Sequence, residues 1–486
     1  MRENSQFGRL LVILLTTWVA GIGMYWLPEE WMGVEVRKID LLSDIRIRPV
    51  GQALDALLLE EADSVAGADT APPTLPDDSL GQAARRDSMY RQFVAAKGPA
   101  DSLPALLEDF SVGHTGLARF FSALNRVVLM SRPVRIAFLG DSFIEGDILV
   151  ADFRAKMQAH FGGRGVGFVP VASEVEQYRP TVYQRSKGWS AYSLLTDTQH
   201  AYVLSGLLFE AQGEHPSITF KTVDFYPGLE QVASVKFLYS RNEAAEMRLT
   251  CNRGKDTLTV ALPPAEGVRQ YEWEGAFTEG RFQFRNAKGL LALGVALEDN
   301  AGVVVDNFSL RGNSGVTLSR LDRGRCRELN EIRPYDLIVL QYGLNVAAEN
   351  VHNYGWYREQ LTEVIRHVQQ CFPSSDILLL SVSDRSHYRD GAFRTIPAVV
   401  SLLKAQRQAA EAAQVTFWNM FLAMGGENGM VRYVNNRWAS KDYTHLSFRG
   451  GRELADALYG ALMREKEWYD EMANTTTEDV DQHAIH

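Results

Sequence analysis

The chain has 486 residues, 46% of them apolar and 23% charged. That length exceeds one ordinary domain and fits two plus connecting segments. A formal charge of -10 with no long Lys/Arg cluster argues against nucleic acid as a partner, and against a basic patch on an anionic membrane surface. Cys251, Cys326 and Cys371 are widely spaced, match no zinc or redox motif and read as small core residues. Their odd number leaves at least one thiol unpaired within the chain. No paired-His or H-E-x-x-H spacing occurs, so the sequence indicates neither metal nor cofactor.

Residues 1–9 carry Arg2 and Arg9 and precede the apolar run Leu10 to Leu27, closed by Pro28, Glu29 and Glu30. A run of about 18 apolar residues just spans a bilayer core. Basic residues before it and acidic ones after predict a cytoplasmic N-terminus, a transmembrane helix over 10–27 and the bulk outside. A cleaved signal peptide is the rival. The bulky Met24, Tyr25, Trp26 and Leu27 lack the small-x-small site it needs, which favours an uncleaved anchor.

Residues 28–105 read as a stalk, because AGADTAPPTLPDD cannot bury much apolar surface. A weakly helical stretch follows around Leu103 to Leu129. Then buried strands alternate with helices. PVRIAFL ends at Gly140, and Ile148 to His160 is helical. Downstream, strands are predicted at Asp336 to Gln341, Asp376 to Val382 and Val415 to Trp418. Helices are predicted at Trp356 to Gln370, Pro397 to Ala413 and Ser447 to Arg464. This alternation implies a parallel sheet in a three-layer α/β/α arrangement, over 106–179 and 307–466.

Between these parts, 180–306 has another character. SITFKTVDFY, ASVKFLYS, EMRLTCN and GRFQFRN are short alternating segments punctuated by Gly, Pro and Asn. They predict an inserted antiparallel β-sandwich. Its aromatics (Phe220, Phe225, Tyr226, Phe237, Tyr239, Tyr271, Trp273, Phe277, Phe282, Phe284) read mostly as core, with a sugar-stacking minority left open. The polar, acidic tail 467–486 reads as disordered.

Four blocks carry chemistry. Gly140-Asp141-Ser142-Phe143 follows a buried strand, where open α/β sheets place ligands, and puts a serine beside a tight turn. Asp442-Tyr443-Thr444-His445 precedes the last helix, and a carboxylate three residues ahead can orient the imidazole toward a serine. Asn345, in Tyr342-Gly343-Leu344-Asn345 at a strand end, can donate to an oxyanion. So can a backbone N–H in Arg311-Gly312-Asn313-Ser314-Gly315.

In this order the blocks resemble the SGNH/GDSL hydrolase family. The resemblance covers 130–180 and 305–465. It implies a flavodoxin-like three-layer fold with Ser142 as nucleophile, Asp442 and His445 as its partners, and an oxyanion hole from Ser142, Gly312 and Asn345. Gly315 is the nearby alternative to Gly312. No G-x-S-x-G elbow surrounds Ser142. GDSFIEGD, then GGRGVGF, then a β-rich insert further resembles bacterial peptidoglycan or polysaccharide O-acetylesterases, whose insert is carbohydrate-binding-like. Phe143 stands where such enzymes often carry His, which leaves the substrate open.

The expected activity is hydrolysis of O-acetyl or similar short acyl esters on a cell-envelope glycan, from a single-pass protein of a bacterial inner membrane facing the periplasm. An O-acetyltransferase with the same residues, or a catalytically silent glycan-binding protein, stays open. Asp141 is expected to brace the turn. Surface or capping roles outweigh cleft roles for Glu145, Asp147, Arg164 and His387.

Overall fold

A computed structural model describes residues 30–31, 34–35, 77–96 and 105–483 except Glu214. The expected membrane helix over 10–27 lies outside the described residues. Among the described residues no helix is long and apolar enough to cross a membrane. By contact the chain divides into Met1–Ala71 and Pro72–His486. In the first unit, Glu30–Trp31 pairs antiparallel with Val34–Glu35; all other described elements belong to the second.

The centre of the second unit is a six-stranded sheet in the order Val303–Ser309, Val134–Gly140, Leu337–Gln341, Asp376–Leu380, Thr416–Trp418, Leu107–Asp109. The first five are parallel; Leu107–Asp109 closes the edge antiparallel. Val134–Gly140, Leu337–Gln341 and Asp376–Leu380 are buried at every residue. Strands like these need cover on both faces, which is why they carry apolar runs rather than alternation. Helices supply the cover in two packed groups. Val150–Phe161 and Ala118–Asn125 lie against Phe448–His483, and Arg323–Ile332 and Pro397–Ala413 lie against Gly355–Cys371.

Two expectations at the ends are corrected. Asp77–Ala96, read as stalk, is a helix of 20 residues. It is attached by aromatic rings: Tyr90 stacks on His114 at 4.2 Å and meets Trp468 edge-on at 5.2 Å. The tail read as disordered from 467 continues the last helix to His483, with Trp468 only 2% exposed. Polar composition concealed both, because a few aromatic contacts hold each segment.

The strands between 167 and 298 form two antiparallel sheets. One runs Arg269–Phe277, Val232–Arg241, Leu291–Glu298, Leu207–Ala211, Trp189–Ser193, with Gly167–Pro170 also on Leu291–Glu298. The other runs Asp256–Ala261, Glu246–Cys251, Glu279–Arg285, Ser217–Lys221, Tyr183–Lys187. Their common core takes Phe220, Phe237, Tyr239, Phe277, Phe282 and Phe284. Tyr271 and Trp273 pack at its margin, and Phe225 is 68% exposed. The expected limits of 180 and 306 shift at both ends. Gly167–Pro170 already pairs with these strands, and Val303–Ser309 belongs to the parallel sheet. The whole region therefore lies within one strand–helix–strand crossover. The chain leaves after Val150–Phe161 and returns at Val303, whose N–H donates to Gly162 O at 2.9 Å.

Buried charge fastens this region to the parallel sheet. Glu298 meets Arg333 at 2.6 Å, Arg135 at 2.8 Å and Lys236 at 2.9 Å, and Arg333 also meets Asp306 at 2.8 Å. Burial opposes the Glu298 charge, but the three cations outweigh it and hold its carboxyl well below the usual range. All three cysteines are free and buried. Cys326 and Cys371, far apart in sequence, come within hydrogen-bonding reach of each other on adjacent helices.

Candidate active site

Register decides where the four blocks meet. Ser309, Gly140, Gln341 and Leu380 are successive neighbours across the sheet, so the parallel strands end on one line. Ser142, Gly312 and Asn345 each follow just past that line. The structure thus brings together all five expected site residues at the carboxyl edge, where a parallel sheet opens a crevice.

Ser142 Oγ lies 3.4 Å from His445 Nε2. His445 Nδ1 lies 2.8 Å from Asp442 Oδ2. The other Asp442 oxygen accepts Thr444 N–H at 2.9 Å and His445 N–H at 3.0 Å. Burial alone would raise the Asp442 carboxyl. The hydrogen bonds from His445 and Thr444 outweigh it and hold the group below its ordinary value. The turn that makes this possible puts Tyr443 at φ 57°, in the left-handed region. The His445 and Asp442 side chains are 45% and 48% exposed, so water reaches the imidazole.

Asn345 Nδ2 donates to Asp141 Oδ2 and to Asn313 O, both at 2.9 Å. Asp141 is fully buried, and its other oxygen accepts Phe143 N–H at 2.9 Å. Asp141 therefore ties the serine turn to the asparagine loop, as well as bracing its own turn. Burial pushes its carboxyl up to about 7, against the pull of the Phe143 N–H, His445 and Asn345. Phe143, the departure from the family pattern, is buried in the core and faces no open space.

The two candidate glycines separate cleanly. Gly315, at φ 90°, has its N–H taken by Asn313 Oδ1 at 2.8 Å, and a Cβ there would come 2.9 Å from the Tyr342 ring. Gly312, at φ 79°, has nothing within 4 Å of where a Cβ would sit. Among the described residues no acceptor engages the N–H of Gly312 or of Ser142. Arg311 pairs with Glu145, which ties the Gly312 turn to the segment after Ser142.

The remaining candidates have structural partners. Asp147, expected at the surface or as a cap, is instead fully buried and takes Arg179 at 2.9 Å, Arg154 at 3.2 Å and Asn307 at 2.8 Å. Arg164 pairs with Asp299 at 2.8 Å and His387 with Glu349. Sequence reasoning missed Asn313, which organises the glycine turn, and Gln406. The Gln406 amide donates to Tyr342 O at 2.8 Å, and its carbonyl accepts Val382 N–H at 2.7 Å, clamping two strand ends. A lone polar residue on the apolar face of Pro397–Ala413 was the available signal. Arg385 was missed as well. It donates weakly to Ala347 O at 3.4 Å, and burial lowers its guanidinium pKa against the pull of Glu349 and Asp442.

No protein-family model matches the chain, and no curated protein matches it. Solved structures do. A protein described as a peptidoglycan O-acetylesterase superposes with a TM-score of 0.61 at 22% identity, over 74% of this chain and 99% of that one. The chain has that esterase's fold. A family two carbohydrate esterase from Cellvibrio japonicus aligns at 10% identity over 59% of this chain and 99% of that one, with a TM-score of 0.24. A carbohydrate binding module of Cellvibrio mixtus lichenase 5A, in complex with cellotriose, aligns at 11% over 27% of this chain and 95% of that one, with a TM-score of 0.18. Superpositions as weak as these last two carry no argument about this chain.

Proposed function

We propose that the chain is a serine esterase of the SGNH/GDSL type that removes O-acetyl or similar short acyl groups from a cell-envelope glycan. One observation carries this reading: Ser142, His445 and Asp442 form a continuous hydrogen-bonded series beside two unengaged backbone N–H groups. His445 Nε2 takes the Ser142 proton as Oγ attacks the ester carbonyl. Asp442 holds the ring by Nδ1 and stabilises its charged form. The Ser142–His445 separation of 3.4 Å is long for this transfer and is expected to tighten on substrate. The N–H groups of Ser142 and Gly312 receive the oxyanion. Asn345 joins them only if the amide hydrogen now on Asn313 O is shared or released, because its two hydrogens face two acceptors.

His445 returns its proton to the leaving sugar oxygen, and water then releases the acyl group. The exposed His445 gives water direct access to the acyl group. The reading also takes Leu10–Leu27 as an uncleaved anchor with the body outside the cytoplasm, supported by the charge asymmetry around that run. The test is turnover of 4-nitrophenyl acetate and of an O-acetylated glycan by wild type and Ser142→Ala. Loss of both activities in the variant is expected; wild-type rates in the variant end the proposal.

A further inference from the structure

Between strand Asp376–Leu380 and helix Pro397–Ala413 the chain makes a detour that the sheet does not require. Ser386–Arg389 and Ala392–Thr395 form an antiparallel hairpin. Asp390 and Gly391, both at positive φ (51° and 82°), make the two-residue turn that matches strand twist.

The base of the hairpin is fixed on three sides. Ser386 N–H donates to Tyr443 O at 3.1 Å, His387 pairs with Glu349, and Asn428 N–H donates to Thr395 Oγ1 at 2.7 Å. It therefore bridges the loop that follows Asn345 and the turn that carries Asp442 and His445.

Its aromatic rings run outward from the Asp442–His445 turn. Tyr443 stacks on Phe393 with ring centroids 3.6 Å apart and planes at 8°. Phe393 meets its cross-strand partner Tyr388 edge-on at 5.3 Å. Tyr388 is 67% exposed, flanked by Arg389 and Asp390, whose side chains are more than three-quarters exposed. An aromatic ring braced at its edge by Phe393 and otherwise left in water suits a ligand with one apolar face and polar edges. A pyranose ring is such a ligand, with C–H bonds on its face and hydroxyls at its rim.

We propose that Tyr388 is a stacking platform for a sugar unit of the glycan beyond the one bearing the ester, which makes the hairpin a substrate subsite. This rests on the esterase reading.

The test compares O-acetylated chito-oligosaccharides of increasing length with 4-nitrophenyl acetate in wild type, Tyr388→Ala and Tyr388→Phe. Wild-type kcat/KM should rise with oligomer length. Tyr388→Ala should lower the ratio of long-oligomer to small-ester kcat/KM by about five- to tenfold, mainly through KM, and Tyr388→Phe should keep it. The subsite is overturned by rates that do not rise with length, by a ratio within twofold of wild type in Tyr388→Ala, or by an equal loss in Tyr388→Phe. Dependence on acyl length in place of glycan length overturns it too. Ser142→Ala run alongside separates the two claims: activity surviving there removes the esterase reading itself.

Discussion

The parallel sheet and the antiparallel region solve burial in opposite ways. In the antiparallel region most connections cross from one sheet to the other, and aromatics fill the space between the two sheets. Phe237, Phe282 and Phe284 are sealed inside, and strand ends leave at both ends of the two sheets. In the parallel sheet the five parallel strands all stop at one edge and their continuations must travel away. That edge gathers Ser142, Gly312 and Asn345, with His445 arriving from the start of the last helix. The lesson is that reactive groups collect where the topology leaves several chain segments ending together, and that aromatic content alone does not mark a site.

This contrast can be broken by experiment. The largest effect is expected at the edge: Ser142→Ala should cut ester turnover by about 10,000-fold or more with the fold intact. Turnover with a circular dichroism spectrum checks it, and retained activity would dissolve the distinction between the regions. Asn345→Ala should lower kcat by about 100- to 1,000-fold if the amide reaches the oxyanion. A loss below tenfold would mean that Asp141 and Asn313 keep both its hydrogens in the transition state.

Next comes the seam between the regions. Arg333→Met leaves Glu298 and Asp306 buried with fewer cations, and should cost about 3–5 kcal/mol in urea denaturation. The exposed pair Arg358–Glu359 is the control, where Arg358→Ala should change stability by about 0.5 kcal/mol or less.

The last effect is a slope with pH. Asp141 is raised in the folded state to about 7 from 3.8, so folding takes up a proton between those values. Its contribution is complete below about pH 4 and is lost as pH rises through about 7. Asp141→Asn should remove that share of the decline, whatever fixed cost the substitution adds. Glu465, raised by burial to about 8, adds a similar slope, and Glu465→Gln tests it independently. Unfolding curves from pH 4 to 8 that are parallel for wild type and both variants would contradict this.

Much of this could be read in the sequence. Val134–Gly140, Leu337–Gln341 and Asp376–Leu380 are fully buried runs, and such runs announce themselves. The four blocks were legible because each sits at an element boundary. The 386–395 hairpin has a signal in Asp390-Gly391, but two stronger elements on either side overshadow it. The joint of Glu298, Arg333, Arg135, Asp306 and Lys236 was not readable. It assembles from five separate segments, and only the fold makes them neighbours. Asp77–Ala96 and the helix beyond 467 were hidden for a related reason. Their anchoring depends on single rings such as Tyr90 and Trp468, which no periodic pattern reports.

The bond from Val303 N–H to Gly162 O has a wider consequence. The two ends of a long excursion are held side by side where a helix ends and an edge strand begins. The entropy of closing a loop grows only with the logarithm of its length, so lengthening the excursion weakens the crossover little. An excursion that also folds on its own core does not behave as a slack loop at all. The crossover can thus tolerate changes in the length of the excursion's loops far better than changes at the buried joint of Glu298 with Arg135 and Arg333.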